Sequence, residues 1–165
     1  MSIFQAKILL ATDGSREATL AAHIAADLAN KTDSELHIVH VRPRIAPHHP
    51  GYYVGPEVIE GAAEKERKLL DHEAHKVLDA QVEQVRTAGA STAQPHLRIG
   101  RADKEIVATA EELGAGLVVI GSRGQGAMRR TIMGSVSDSV VRHAHCPVLV
   151  VRKEKQAQPA EIGPD

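Results

Sequence analysis

Apolar residues along the 165-residue chain follow two alternating patterns: short uninterrupted runs, and longer stretches in which they recur every three or four positions. The short runs read as strands at residues 7–12, 36–41, 94–99, 117–120 and 148–151, with Pro95 interrupting the start of the third. Apolar runs without alternation are expected of strands covered on both faces. The longer stretches read as helices. Ser15 is placed to cap one running to about residue 30, with Ala21, Ile24, Ala25 and Leu28 on one face. Residues 57–88 carry Leu70, Ala74, Val77, Gln81 and Val85 on a stripe among many charges, and Gly89 ends them. Asp103 is placed to cap a third helix, whose Ile106, Val107, Ala110 and Leu113 stop before Gly114. A short helix follows at residues 135–143.

Strand and helix thus alternate four times and a strand closes the series. Right-handed crossovers turn that order into a single doubly wound α/β layer: an open sheet of five parallel strands with helices on both faces. No linker or long internal repeat divides it. One domain is expected over residues 1–152, with a polar, disordered tail at 153–165.

Composition narrows the partners. Twenty basic and 21 acidic side chains leave a net charge of −1, so no bulk charge draws the chain to nucleic acid or an anionic membrane. With no Trp, one Phe and two Tyr, base-stacking single-strand binding is also excluded. The apolar runs are far shorter than the ~20 residues that span a bilayer, and residues 1–7 lack a signal-peptide pattern. The lone Cys146 fits a reducing compartment, so a cytoplasmic protein is expected.

In open parallel sheets, ligands bind beyond the carboxyl ends of the strands, where the strand order reverses. The segments after the strands are therefore the candidates, and the one from Gly121 to Ser135 is the richest. Its glycines let backbone N–H groups approach an anion, and Gly134-Ser135 opens a helix with unpaired donors and a positive dipole end. Ser135 can add a hydroxyl donor. These features suit a phosphate, although glycines that merely permit turns give the same pattern. Gly121 and Gly126 have P-loop spacing, but Ala127 and Met128 replace its Lys and Ser or Thr. No GxGxxG follows the first strand.

The segment resembles the motif of nucleotide-binding universal stress proteins: Gly, two residues, Gly, nine residues, Gly, then Ser or Thr. Gly121, Gly124, Gly134 and Ser135 match it without a gap. Residues 7–15 resemble that family's opening strand and Asp-containing turn, and residues 140–151 its closing helix and strand, so the resemblance covers about residues 5–152. It implies a Rossmann-like fold of the adenine nucleotide alpha hydrolase-like group and a bound adenine nucleotide: ATP, or ADP or AMP. By position, Ala11, Thr12 and Asp13 would line the base end and Val41 would offer backbone groups to the base edge. Ile120 and Gly121 would flank the sugar, while Gly124, Gly134, Ser135 and Val136 would hold the phosphates. Ala11 stands where the family often has Pro. Asp13 has a second reading, as an Asx-turn acid before the first helix. Arg123, Arg129 and Arg130 either neutralise phosphates or form a solvated basic edge.

No His or Cys set has zinc-site spacing, with His48-His49, His72/His75 and His143/His145 the closest groupings, so no protein-only metal site is expected. Mg²⁺ held through nucleotide phosphates is compatible. No catalytic elbow or fixed general base is visible, so a binding module with at most slow ATP hydrolysis is expected. One alternative is an ATP-using enzyme of the same broader group, whose Ser-Gly-Gly-x-Asp-Ser turn is replaced here by Thr12-Asp13-Gly14-Ser15. Another is a dimeric stress protein acting by protein contact without nucleotide. The all-apolar Val148–Val151 segment reads either as a covered strand or, in the resemblance, as an edge strand pairing with a second subunit to form a homodimer. Residues 42–56 hold four of the eight prolines and both tyrosines, and read as a surface loop or a cover over the nucleotide. No downstream protein partner is indicated.

Overall fold

The computed structural model describes residues 6–45, 55–90, 92–125 and 133–153. His48, His49, Tyr52, Tyr53, Arg129, Arg130 and the tail from residue 154 lie outside the described residues. The elements follow in strict alternation: β1 (Lys7–Thr12), α1 (Arg16–Thr32), β2 (Leu36–Arg42), α2 (Pro56–Thr87), β3 (Ala93–Ile99), α3 (Ala102–Leu113), β4 (Ala115–Gly121), α4 (Ser135–His143) and β5 (Val148–Val151). All strand pairings are parallel, in the order β3-β2-β1-β4-β5. The chain therefore winds outward from β1 through β2 to β3, then returns to the other side of β1. The order reverses between β1 and β4, which makes the carboxyl ends of those two strands the natural binding crevice.

Alternation along β1 divides the core into two layers. Ile8 and Leu10 pack with Ala21, Ala22 and Ala25 of α1 and Leu78 and Val85 of α2. Leu9 and Ala11 face the other way, with Ile106 and Ala110 of α3 and Val140 of α4. The buried residues of α1 are all alanines, so its backbone lies close to the sheet despite the scarcity of aromatic fillers. A Cβ on Gly121 would stand 2.9 Å from Cβ of Glu17, so the missing side chain admits the first turn of α1 against the end of β4. On α2 the buried positions are Ala74, Leu78, Gln81 and Val85, and its amino-terminal half carries no fully buried residue. No helix among the described residues is long and apolar enough to cross a membrane.

Three details depart from the sequence reading. β3 runs straight through Pro95, paired with Ile38, because β3 is an edge strand and a missing N–H is tolerated on an unpaired side. α1 continues past residue 30 until Asp33, whose left-handed backbone (φ 53) stops it. Asp103 does not cap α3. Arg101 occupies that position, and the Asp103 carboxylate in the first turn is drawn instead to Arg101 and to Ser139 of α4. The closing strand β5 lies at the sheet edge rather than being covered by strands on both sides.

Candidate functional site

A cavity of about 450 Å³ opens at the carboxyl ends of β1, β2 and β4, within the ~300–1,000 Å³ usual for small-ligand sites. The described residues that the resemblance assigns to the nucleotide, and Arg123, line it, while Arg129 and Arg130 lie outside the described residues. Ala11, Thr12 and Asp13 come from β1 and its turn, Val41 from β2, and Ile120, Gly121, Arg123 and Gly124 from β4 and its loop; Gly134, Ser135 and Val136 form the start of α4. Ala11, Val39, Val41, Ile106 and Ile120 supply an aliphatic stretch, while the glycine loop and α4 supply a polar one.

The turn after β1 is tied from several sides. Asp13 Oδ1 accepts the Ser15 N–H at 2.9 Å, which is the Asx turn, and Oδ2 accepts the Gln125 N–H at 2.9 Å. Gln125 Nε2 donates back to the Asp13 carbonyl at 2.8 Å. A Cβ on Gly124 would stand 2.4 Å from Asp13 Oδ2, so glycine there is what lets the carboxylate reach across. Gly14 turns the chain at φ 76, a conformation that L side chains rarely adopt. The Thr12 hydroxyl donates to Gln81 Oε1 of α2 and accepts from the Gly14 N–H, so the polar member of the α2 stripe anchors that helix to the turn.

The loop after β4 is closed at its base. Gly134 N–H donates to the Ser122 carbonyl at 2.7 Å, and Ser122 N–H donates to Val151 of β5 at 2.8 Å. The buried Ser137 hydroxyl lies 2.9 Å from the Ser122 carbonyl and 3.0 Å from that of Gly134, reinforcing the closure. Among the described residues no side chain caps α4, whose first residues line the cavity with the helix dipole behind them. Arg123 adds a buried Nε with no hydrogen-bond partner among the described residues. Chemically, the site pairs an apolar slot with a cluster of donors suited to an anion.

His40, Gln125, Ser137 and Ile106 line the cavity without having been singled out from the sequence. His40 Nδ1 lies 2.8 Å from the Thr12 carbonyl; a neutral ring donating there keeps Nε2 as an acceptor. Only the Ser-x-Ser repeat at Ser135 and Ser137 offered a signal for any of them. Among the described residues, no three His, Cys, Asp or Glu side chains converge on a point where a metal could sit. His75 and His143 each place Nδ1 on the carbonyl four residues earlier in their own helices. Burial and the Val118 and Cys146 backbone leave the Cys146 thiol pushed up on balance, burial being the dominant effect, so it is a poor nucleophile.

Comparison with known proteins agrees with this architecture. Residues 6–152 match the universal stress protein family. A putative universal stress protein of Staphylococcus aureus (strain USA300) is 36% identical over 159 residues, covering 95% of this chain and 89% of its own. The structure of universal stress protein UspA from Lactobacillus plantarum superimposes with a TM-score of 0.72 at 26% identity, over 90% of this chain and 98% of that one. A universal stress protein from Archaeoglobus fulgidus, solved in complex with dAMP, shares the fold at a TM-score of 0.57 and 24% identity, over 90% and 98% of the two chains. With the family matched over nearly all of the described residues and the glycine motif lining the crevice between β1 and β4, the chain belongs to the universal stress protein family.

Proposed function

We propose that this chain is an adenine-nucleotide-binding stress-response module that holds ATP, with ADP or AMP as lesser ligands, and turns it over slowly if at all. One observation carries the reading. Gly134 has ordinary backbone angles (φ −75, ψ 158), and a Cβ there would meet nothing nearer than 3.4 Å among the described residues, so those residues make no demand for glycine. A ligand pressed against the uncapped start of α4 does make that demand. The buried Arg123 Nε, without a partner among the described residues, points to the same class of ligand, an anion.

In this reading the base occupies the aliphatic end, against Ala11, Thr12 and Val41, with Asp13 near base or ribose and Ile120 and Gly121 beside the sugar. Gly124, Gly134, Ser135, Val136 and Arg123 take the phosphates, and Mg²⁺ binds through those phosphates. The dAMP bound by the Archaeoglobus fulgidus protein of the same fold supports an adenine ligand. Slow turnover follows from Asp13, the single carboxylate in the described lining, whose two oxygens already accept backbone N–H groups. Fast hydrolysis needs a base positioned on an attacking water. β5 presents an unpaired edge with Leu149 partly exposed, and a homodimer through that strand would cover it. The lone Cys146 suits a cytoplasmic setting.

The test is to denature the native purified protein, identify any released nucleotide by chromatography and mass, then titrate ATP with and without Mg²⁺. Stoichiometric nucleotide or micromolar saturable binding is expected. An empty protein indifferent to millimolar ATP would overturn the reading.

A further inference from the structure

Two helices contribute to the cavity wall: α3 through Ala102 and the aliphatic Ile106, and α4 through Ser135, Val136 and Ser137 at the donor end. Helix α4 has only nine residues, and its polar ties do different things. Ser137 binds carbonyls of its own loop, whereas Ser139 donates to Asp103 Oδ2 of α3 at 2.7 Å. The second tie fixes α4 against another helix. Asp103 is 7% exposed, yet it is charged: Arg101 grips it with two bonds of 2.7 and 2.6 Å and, with Ser139, holds its carboxyl well below the usual carboxylate range.

A buried carboxylate is a costly way to pack one helix on another, and an apolar pair of similar volume commonly does as well or better. What the carboxylate adds is direction. Ser139 lies one turn below Ser135 on the same face of α4, so a bond at Ser139 sets how far along and how rotated Ser135 sits. The geometry points to Asp103 and Ser139 as a positioning pair that aims the start of α4 at the phosphates of the bound nucleotide, and so sets the preference for ATP over adenosine. This rests on the nucleotide-binding reading given above.

Removing Asp103 would also release the positive charge of Arg101, the residue before the cavity-lining Ala102, which would itself favour anions. The deciding variant is therefore the uncharged Ser139→Ala. Calorimetric titration of the full chain with ATP and with adenosine is expected to show ATP affinity falling about tenfold, as for a lost hydrogen bond to a charged acceptor, with adenosine within twofold of wild type. Ser139→Thr, which keeps the hydroxyl, should restore most of the ATP affinity. Ser139→Cys, close in volume and a weak donor, gives the same comparison should the alanine variant not fold. Equal losses for ATP and adenosine would make the tie merely structural and overturn the proposal, as would an unchanged ATP affinity. Wild-type protein that binds neither ligand would overturn the nucleotide reading itself, and this inference with it.

Discussion

Helices α1 and α4 begin at equivalent places, just beyond the carboxyl ends of the neighbouring strands β1 and β4, yet their first turns are finished differently. At α1 the Ser15 hydroxyl accepts the Ala18 N–H at 3.2 Å, and Glu17 in the first turn answers the dipole. At α4 the capping position is Gly134, which has no side chain to offer, and among the described residues no side chain caps the turn. One helix start carries a side-chain cap of its own; the other, which has Asp138 as its first-turn acid just as α1 has Glu17, shows no side-chain cap among the described residues. In this fold, position alone does not leave a helix's first donors free. The residue before the helix decides whether its donors are already spent.

The strongest way to break this contrast is to sever the tie between the two turns. Gly124→Val forces a Cβ into the 2.4 Å gap to Asp13 Oδ2, so the carboxylate must release Gln125. Nucleotide affinity is expected to fall about a hundredfold. Stability should drop by about 1–3 kcal/mol, the cost of overpacking plus a lost hydrogen bond. Urea titration and calorimetry read the two effects separately. Gly134→Ala sharpens the contrast from the other side. Its added methyl stands at ordinary contact distances, so the denaturation midpoint should stay within error while ATP affinity drops about tenfold. An unchanged affinity would mean that the open end of α4 serves no ligand.

Ser15→Ala is the smaller complement. Losing the cap of α1 should cost about 1 kcal/mol, lowering the melting temperature by ~2–4 °C for a chain of this size. In the proposed reading the phosphates lie at α4, so the ratio of ATP to adenosine affinity should not move even though Ser15 lines the cavity. A changed ratio would show that the two helix ends act as one site.

What the sequence could and could not show divides along the same line. The uninterrupted run from Lys7 to Thr12 and the alanine-rich stripe of α1 declare themselves because a strand buried on both faces and a close-packed helix leave little freedom in residue choice. The spacing of Gly121, Gly124 and Gly134 was equally visible, and all three line the cavity. Their reasons for being glycine were not. Gly121 makes room for α1, Gly124 for Asp13, and of the three only Gly134 meets no demand from the described residues. Asp103 was misread as a cap because an acid in front of a helical stripe usually is one. Its partner Ser139 lies 36 positions later and enters only through the packing of α3 on α4. His40 and Gln125 escaped notice for the same reason, since their bonds run to Thr12 and Asp13 across the sheet and between loops.

The least effect is expected from acid, and it offers a control on the comparison of the two helix ends. His96 on β3 sits at the opposite edge of the sheet from α4, with Nε2 2.9 Å from Nδ1 of the buried His37 on β2. Partial burial, together with the nearness of His37 and Arg98, lowers the pKa of His96 below the ordinary histidine value of 6.5, against a weaker opposing pull from Glu112. The native state therefore binds fewer protons than the unfolded chain around that pH. Its contribution to stability is complete above about pH 6.5 and is lost as the pH falls below it. Urea midpoints should be modestly lower at pH 5.5 than at pH 7.5, and His96→Gln should remove the part of that difference due to His96. Because this pair shares no bond with either helix end, the loss caused by Ser15→Ala should be the same at both pH values. A cap effect that changed with pH would show that the β2–β3 edge and the start of α1 are coupled, and that the two helix ends cannot be compared in isolation.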